Sequence, residues 1–436
     1  MRVLSCVIAL ILASSAASAS AFETPLVDNP AQGKILLTRI TTADFYGFAY
    51  VTGTGLFEVD GMNNHANQLT PLQSGSFYLP GAESDVAVSG VYTNTPPWLA
   101  RNYSPSGDEF IYFSGQAVVP NGNSGYTTGK YYVMDPLGVS APLFPGENDV
   151  AAPGYGYLTW QPSGNEIAYA NSAVDQPAAG QACVNLVHPD GSDARPLWCA
   201  PSSYTGPQYI SAIRWAGNGK SLVAYVNWSP DPYSPQTDLY EINASTGAGT
   251  LVATGIPDLP SYRGIADVSY DGTKVIYQEY GGDQPSEDCL DNNYGGPGAT
   301  YCLRDMTTGQ ATLVSVPLAY DSPLMLSPDG SELISTKGTT LNNYATENDL
   351  FVSSIATGQV LRQLTYTPKT LPDDSSVGWK PVAWSSDGQR LLVNRVFIPA
   401  HSIVPSQTEI YVINVSNGSM QYMGSGNAES WYQPSL

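Results

Sequence analysis

Residue patterns that usually signal catalysis are few in this sequence. Its three histidines, His65, His188 and His401, are widely separated and lie in connections of two different kinds. We therefore do not expect them to converge on one metal ion or to act together in acid–base chemistry. The sequence has no G-x-S-x-G pentapeptide and no P-loop motif, so neither a serine hydrolase nor a P-loop nucleotide site is predicted.

Aromatic and acidic side chains form the first candidate binding site. Trp228, Asp231 and Tyr233 occur together in a stretch that also contains proline and serine. The flat rings of tryptophan and tyrosine suit stacking against a sugar or a proline-rich peptide. We expect this stretch to bind a ligand. The alternative is that it is an ordinary exposed loop.

A group of aspartates forms a candidate metal site. Asp283, Asp288 and Asp291 lie close together in the sequence, and Tyr294, three residues after Asp291, is a further candidate ligand-binding residue. Ca²⁺ prefers carboxylate and carbonyl oxygens, so this group could hold a calcium ion. Acidic residues in a Gly-rich loop are also common without any metal. Apart from this Ca²⁺, no cofactor is expected.

Three basic residues are candidates for binding an anion. Arg214, Arg263 and Lys380 fall on or just before strands that we expect to line a central channel. A ring of positive charge there could bind an anionic ligand such as an acidic sugar. The alternative is that each one pairs with a neighbouring carboxylate.

A short polar turn that ends in glycine sets the organisation of the whole chain. Successive copies of its glycine are 53 to 58 residues apart. Each turn lies between a bulky residue and an apolar, β-rich run, which is the pattern of a β-hairpin. The six clear copies are residues 104–107, 161–164, 216–219, 269–272, 327–330 and 385–388.

A second pair of strands follows each hairpin, joined by an Asx/Gly turn such as the one that ends at Gly418. Four strands per repeated unit indicate the blade of a β-propeller. Residues 32–37 look like a blade without its first strand, and residues 431–435 look like a first strand without its second, so their pairing would close the ring. We predict an all-β, seven-bladed propeller over residues 22–436, with six or eight blades as alternatives.

The N-terminal residues have the pattern of a secretory signal. Arg2 precedes the apolar run Val3–Leu12, and small residues then continue to Ala21. We expect residues 1–21 to be removed and the protein to be secreted or periplasmic. No later stretch is long and apolar enough for membrane insertion.

Four cysteines remain after the signal, and three pairings of them are formally open. Cys183 and Cys199 flank the Asp190-Gly191 turn almost symmetrically, which would place them opposite each other on a hairpin. Cys289 and Cys302 bracket a long connection between two strands. These two local pairings are therefore favoured, and both are expected to be structural.

The net charge of the chain excludes some classes of binding partner. The chain has 38 acidic and 17 basic residues and a formal net charge of −21. Nucleic acids and anionic membranes bind to basic surfaces, so neither is an expected partner. The acidic surface is expected to keep the protein soluble, and we expect a monomer.

The turn Ser327-Pro328-Asp329-Gly330, with a bulky residue before it, an apolar strand after it and a later T-G turn, has a counterpart in known families. It resembles the repeats of the TolB-like, "WD40-like" propellers of Gram-negative envelope proteins, over about residues 32–436. TolB has an α/β domain before a six-bladed propeller and acts as a partner of other envelope proteins. This chain has no room for that domain, so TolB's own partners are not carried over.

Two functions follow as hypotheses. The first is binding of an envelope or extracellular protein, or of a polysaccharide, through the face that carries the long loops. The second is a carbohydrate-active enzyme, a polysaccharide lyase or a glycoside hydrolase, acting at the mouth of the channel. A Tyr, Arg and carboxylate cluster at the channel would favour the enzyme, and an aromatic rim would favour binding.

Overall fold

The structure is a computed structural model, and the part of the chain that it describes is rich in strands. It describes residues 33–45, 48–60, 66–69, 77–78, 103–118, 126–144, 150–151, 158–162, 164, 166–170, 181–204, 208–228, 236–257, 267–279, 300–314, 325–340, 346–367, 376–398 and 407–432. All regular elements in these ranges are β-strands. Among the described residues, no helix is long and apolar enough to cross a membrane.

The strands follow one another in short antiparallel pairs. In the first half of the chain they are β1 (Lys34–Phe45), β2 (Phe48–Asp60), β3 (Ala66–Gln68), β4 (Phe77–Tyr78), β5 (Phe110–Val118), β6 (Tyr126–Met134), β7 (Ser140–Pro142), β8 (Val150–Ala151), β9 (Leu158–Trp160), β10 (Ile167–Ala170), β11 (Cys183–Val187), β12 (Arg195–Cys199), β13 (Gln208–Trp215) and β14 (Ser221–Trp228). In the second half they are β15 (Gln236–Asn243), β16 (Gly249–Pro257), β17 (Asp267–Val268), β18 (Lys274–Glu279), β19 (Thr300–Asp305), β20 (Ala311–Leu313), β21 (Met325–Leu326), β22 (Glu332–Thr340), β23 (Thr346–Ser354), β24 (Val360–Gln363), β25 (Ser376–Trp384), β26 (Arg390–Ile398), β27 (Gln407–Asn414), β28 (Met420–Ser425) and β29 (Asn427–Tyr432).

Consecutive strands form repeated four-stranded meanders. Three sheets have the orders β9 to β12, β13 to β16 and β17 to β20, and a fourth contains β4 to β7 with β8 added beside β6. The strands β21 to β24 and β25 to β28 repeat the same arrangement. A short parallel contact between β23 and β25, Glu347 with Val377 and Asn348 with Gly378, joins them into one larger sheet.

The recurrent turn between the first and second strands is held by its own side chains. In the turn 269–272, the Asp271 carboxylate accepts hydrogen bonds from the Ser269 hydroxyl at 2.7 Å and from the Thr273 backbone N–H at 2.9 Å. Gly272 has a φ of +76°, which a residue with a side chain rarely adopts. The predicted hairpins are therefore formed by the Asp and Gly that recur in the sequence.

Both faces of the central sheets are buried against neighbouring sheets. Between β9–β12 and β13–β16, the fully buried Ala168 and Leu222 pack in one cluster with Trp215. On the opposite face of β14, Val223 and Tyr225 pack against side chains of the β17–β20 sheet. Each fully buried aliphatic side chain stabilises the fold by about 1.5 to 3 kcal/mol, so this alternation fixes each strand's register.

The two ends of the chain meet in one sheet, with the order β29-β1-β2-β3. Lys34 pairs with Tyr432 and Ile35 with Trp431, as the complementary sequence patterns predicted. The ring of Tyr432 lies over Gly107, where an added Cβ would overlap it. Glycine is needed at 107 for this close approach and for its φ of +72°.

Candidate functional site

The predicted tryptophan lies on one end of the β13–β16 sheet. In an antiparallel meander, the connection after the second strand and the connection after the fourth strand emerge at the same end. We call this end the long-loop face and the opposite end, which carries the Gly turns, the turn face. Trp228 is the last residue of β14, at the long-loop face. Tyr204, in the connection between β12 and β13, stacks on it with ring centroids 4.6 Å apart and planes 3° apart.

A buried carboxylate holds this aromatic pair in place. Asp238 on β15 is only 2% exposed. One of its oxygens accepts hydrogen bonds from the Trp228 indole N–H at 3.2 Å and from the Tyr204 hydroxyl. The other accepts a bond from the Thr254 hydroxyl at 2.7 Å, and the Tyr204 and Tyr240 hydroxyls are 2.6 Å apart. We call these five residues the aromatic cluster.

The two phenols of the aromatic cluster are held in their neutral form. Burial raises the pKa of Tyr204 far above its usual value, and its hydrogen bonds to Asp238 and Tyr240 raise it further. Burial also raises the pKa of Tyr240, with the negative charge of Asp238 acting in the same direction. Neither phenol is therefore a general base at neutral pH, although the oxygen of each can still accept a hydrogen bond from a polar ligand.

Asp238 and Tyr240 on β15 are an acidic residue followed two residues later by an aromatic residue. The same pair of residue types occurs at the corresponding place on the third strands of other meanders. Glu409 on β27 precedes Tyr411, whose hydroxyl donates to the Glu409 carboxylate at 3.0 Å. Arg395 also bonds Glu409, at 2.8 Å, and lies over the ring of Trp379 at 5.7 Å. Burial, with Glu409, raises the pKa of Tyr411 to about 12. Asp349 is the corresponding acid on β23. The sequence pattern D/E-x-aromatic could have revealed this group, and our sequence reasoning missed it.

Arg214 is paired with a carboxylate of the neighbouring sheet. Its guanidinium lies 2.7 Å from Asp267 on β17, and Asp267 is 2% exposed. The Asp267 carboxylate also accepts the backbone N–H groups of Val268 at 2.7 Å and Leu326 at 2.6 Å. This contact matches the alternative interpretation of the basic residues. An anionic ligand at Arg214 would have to compete with Asp267.

A second polar group lies on the turn face of the β9–β12 sheet. The side chains of Glu166, His188 and Asp193 have oxygen or nitrogen atoms within 4.8 Å of one another, a spacing that could hold a metal ion. However, the Arg195 guanidinium bonds both Glu166 and Asp193. A cation would have to displace this arginine, so the arrangement is complete as an ion-pair network. Sequence reasoning did not identify it.

One of the two predicted disulfides, Cys183 with Cys199, is present. For the second, the structure describes only one of the two cysteines. Cys183 and Cys199 are bonded and face each other in register on β11 and β12, as the flanked turn predicted. Cys302 is also disulfide-bonded. Its predicted partner, Cys289, lies outside the described residues. So do these predicted ligand-binding and calcium-binding residues: Asp231, Tyr233, Arg263, Asp283, Asp288, Asp291 and Tyr294.

Comparisons with known proteins were informative about fold. No protein-family model matches the sequence, and no curated protein matches it. An oligogalacturonate lyase from Vibrio parahaemolyticus aligns with a TM-score of 0.50 and 11% identity over 91% of this chain and 87% of its own. The repeated meanders and this likeness agree. The fold is that of a β-propeller.

Two other solved structures also align with this chain. The β-propeller domain of the trilobed protease from Pyrococcus furiosus aligns with a TM-score of 0.49 and 9% identity over 92% of this chain and 98% of its own. TolB from Acinetobacter baumannii aligns with a TM-score of 0.39 and 12% identity over 76% of this chain and 63% of its own. At these identities, likeness to solved structures describes the propeller's fold and carries no information about its activity.

Proposed function

We propose that this chain is a secreted or periplasmic, seven-bladed β-propeller that binds a protein or polysaccharide partner through its long-loop face, without catalysis of its own. The proposal takes residues 1–21 as a signal peptide and residues 22–436 as one propeller domain. Seven blades are supported by counting the meanders, with β21–β24 and β25–β28 as separate units and the β29-β1-β2-β3 sheet as the seventh. The β1 to β29 pairing supports closure of the ring.

The observation that carries the proposal is the stacked Trp228 and Tyr204 pair. It lies at the end of β14, on the long-loop face, and both residues are partly exposed. Asp238 fixes the indole through its N–H, so little side-chain freedom remains to be lost when a ligand binds. Rigid aromatic side chains at the edge of a scaffold are typical anchors of binding sites.

The tyrosines of the two described clusters are poor candidates for the base of a lyase. A lyase needs a side chain that accepts a proton near neutral pH, and a tyrosine can do so only if its pKa is lowered. The pKa values of Tyr204, Tyr240 and Tyr411 are all raised. The alternative function, a polysaccharide lyase or glycoside hydrolase at the channel mouth, would have to use other groups.

The proposal includes further expectations about partners and metals. A net charge of −21 disfavours nucleic acid, and no membrane insertion is proposed. The protein is expected to act as a monomer. Asp283, Asp288 and Asp291 remain the candidate ligands for Ca²⁺, and Asp231, Tyr233 and Tyr294 remain candidate contacts of the partner.

A cross-linked pull-down from native envelope and culture fluid tests the proposal. The mature protein is compared with Trp228→Ala and with a control, Tyr270→Ala, which removes a half-exposed ring on the turn face. We expect one stoichiometric partner, protein or polysaccharide, that Trp228→Ala loses and Tyr270→Ala keeps. Circular dichroism verifies that both variants are folded. Recovery of no partner, equal recovery by both variants, or cleavage of a polysaccharide by the mature protein would each count against the proposal.

A further inference from the structure

We infer that the ligand of the aromatic cluster is an uncharged glycan. This inference rests on the proposed function and names the class of ligand. It follows from three observations: the pairing of the basic side chains, the neutral polar lining of the aromatic cluster, and the location of the exposed apolar side chains.

Several positively charged side chains of the described residues already form ion pairs with carboxylates. Arg214, in a strand that contributes to the same sheet as Trp228, is bonded to Asp267. Three more arginines form ion pairs in which a guanidinium nitrogen lies 2.8 Å or less from a carboxylate oxygen. They are Arg195, Arg362 and Arg395. With 38 acidic residues against 17 basic ones, the whole molecule repels a polyanion. A polyuronate would thus have to compete with carboxylates for these four arginines and would approach a molecule of the same charge sign.

The aromatic cluster itself offers neutral hydrogen-bonding groups. Its one charged member, Asp238, is 2% exposed and accepts the Trp228, Tyr204 and Thr254 donors. The Tyr204 hydroxyl donates its proton to Asp238, so the Tyr240 hydroxyl donates to Tyr204, and both phenol oxygens keep acceptor capacity for sugar hydroxyls. A uronate carboxylate placed beside Asp238 would instead bring two negative charges together.

The geometry of the ring pair suits a sugar. Stacking at 3° against Tyr204 fixes the plane of the indole and covers one of its faces. A ligand would use the opposite face or the ring edges, against which the C–H surface of a pyranose can pack. The hydrogen bond to Asp238 sets the orientation in advance, which lowers the entropy cost of binding.

Exposed apolar surface, which a protein partner would use, lies elsewhere on the described chain. Most of the large exposed apolar side chains lie in the turn between third and fourth strands or in the first three residues of a fourth strand, at the turn end of the sheets. They are Leu137, Val139, Leu251, Leu313, Val360, Leu361 and Tyr422. Tyr366, which follows the fourth strand β24, is exposed at the long-loop end of another sheet. None belongs to the aromatic cluster. A stable protein interface buries about 800 Å² on each side, far more than one ring pair provides.

Calorimetric titration of the mature protein tests the inference. The probes are a soluble neutral β-glucan, a neutral galactomannan and polygalacturonate, each at low and high salt. We expect a neutral glycan to bind at least tenfold more tightly than polygalacturonate, with little effect of salt. Trp228→Ala should lower that affinity at least tenfold, Trp228→Phe should retain most of it, and Tyr270→Ala should leave it unchanged.

The possible negative results distinguish an error in the inferred ligand class from an error in the proposed binding function. Tighter binding of polygalacturonate that weakens with salt would overturn the inference and leave the proposed binding function intact. So would the absence of glycan binding together with a protein partner in the pull-down. If neither a glycan nor a protein binds, the proposed function itself is wrong. If Trp228→Phe, shown by circular dichroism to be folded, loses as much affinity as Trp228→Ala, stacking is not the basis of recognition and the inference is also overturned.

Discussion

Replacement of Arg214 by methionine tests how the neighbouring sheets are joined. The variant keeps the length and apolar stem of the side chain and leaves the Asp267 carboxylate, 2% exposed, without its cation. Removing one partner of a buried ion pair costs about 3 to 5 kcal/mol. We therefore predict that Arg214→Met lowers the free energy of unfolding by about 3 to 5 kcal/mol at pH 7.

The loss should depend on pH in a defined direction. Burial raises the pKa of Asp267, while Arg214 and the N–H groups of Leu326 and Val268 lower it. Without the guanidinium this pKa rises further, so the folded variant binds a proton more tightly than the unfolded chain does. Its stability then increases as the pH falls through the raised folded pKa towards the unfolded value near 3.8. The deficit relative to the parent protein should be smaller at pH 5 than at pH 7.

Urea unfolding followed by tryptophan fluorescence at pH 5 and pH 7 measures both effects. The control is the double variant Arg214→Met/Asp267→Asn, which buries no charge. The N–H groups of Val268 and Leu326 bond different carboxylate oxygens of Asp267, so the single amide oxygen can accept from only one of them. The double variant should lie within about 1 to 3 kcal/mol of the parent protein, the cost of leaving one buried N–H group without an acceptor. A single variant within about 1 kcal/mol of the parent at pH 7, or an equal deficit at both pH values, would refute this reasoning.

Two further stability predictions follow from the chain ends and the disulfide. Gly107→Ala should destabilise the protein by several kcal/mol more than Gly138→Ala in thermal unfolding. Both glycines have positive φ, about +72° and +78°, but only at Gly107 does an added Cβ overlap the Tyr432 ring; equal effects would mean that Tyr432 does not pack there. Joint replacement of Cys183 and Cys199 by serine should lower the free energy of unfolding by about 3 kcal/mol. A reducing agent should destabilise the parent protein at least as much, because it also reduces the disulfide of Cys302. No change in either experiment would contradict a structural role.

The repeated turns made the architecture predictable from sequence. The Asp and Gly of residues 269–272 encode a hairpin locally, because the carboxylate bonds its own turn and Gly272 adopts positive φ. A signal of this kind needs no knowledge of distant residues. The same holds for Cys183 and Cys199, whose symmetry about one turn placed them opposite each other. The incomplete blades at the two ends predicted the partnership of β1 with β29.

The candidate site was only partly predictable. Trp228 stood out in the sequence as an aromatic residue beside a loop, but its partners were not visible. Tyr204 comes from the connection before the preceding strand, and Asp238 and Thr254 come from the two following strands. Their convergence depends on register and on packing between sheets, which a linear sequence does not display. The same limit applies to Arg214, whose partner Asp267 is 53 residues further along the chain.

Hydrogen–deuterium exchange of the mature protein, with and without a bound neutral glycan, tests whether the aromatic cluster is the binding site. We predict protection of the amides around Tyr204, the end of β14 near Trp228 and the start of β15 near Asp238, all at the long-loop face. It predicts no change in the turn-face segment 188–195. Protection confined to the turn face, or no protection at saturating ligand, would contradict the claim that this propeller binds through the aromatic cluster.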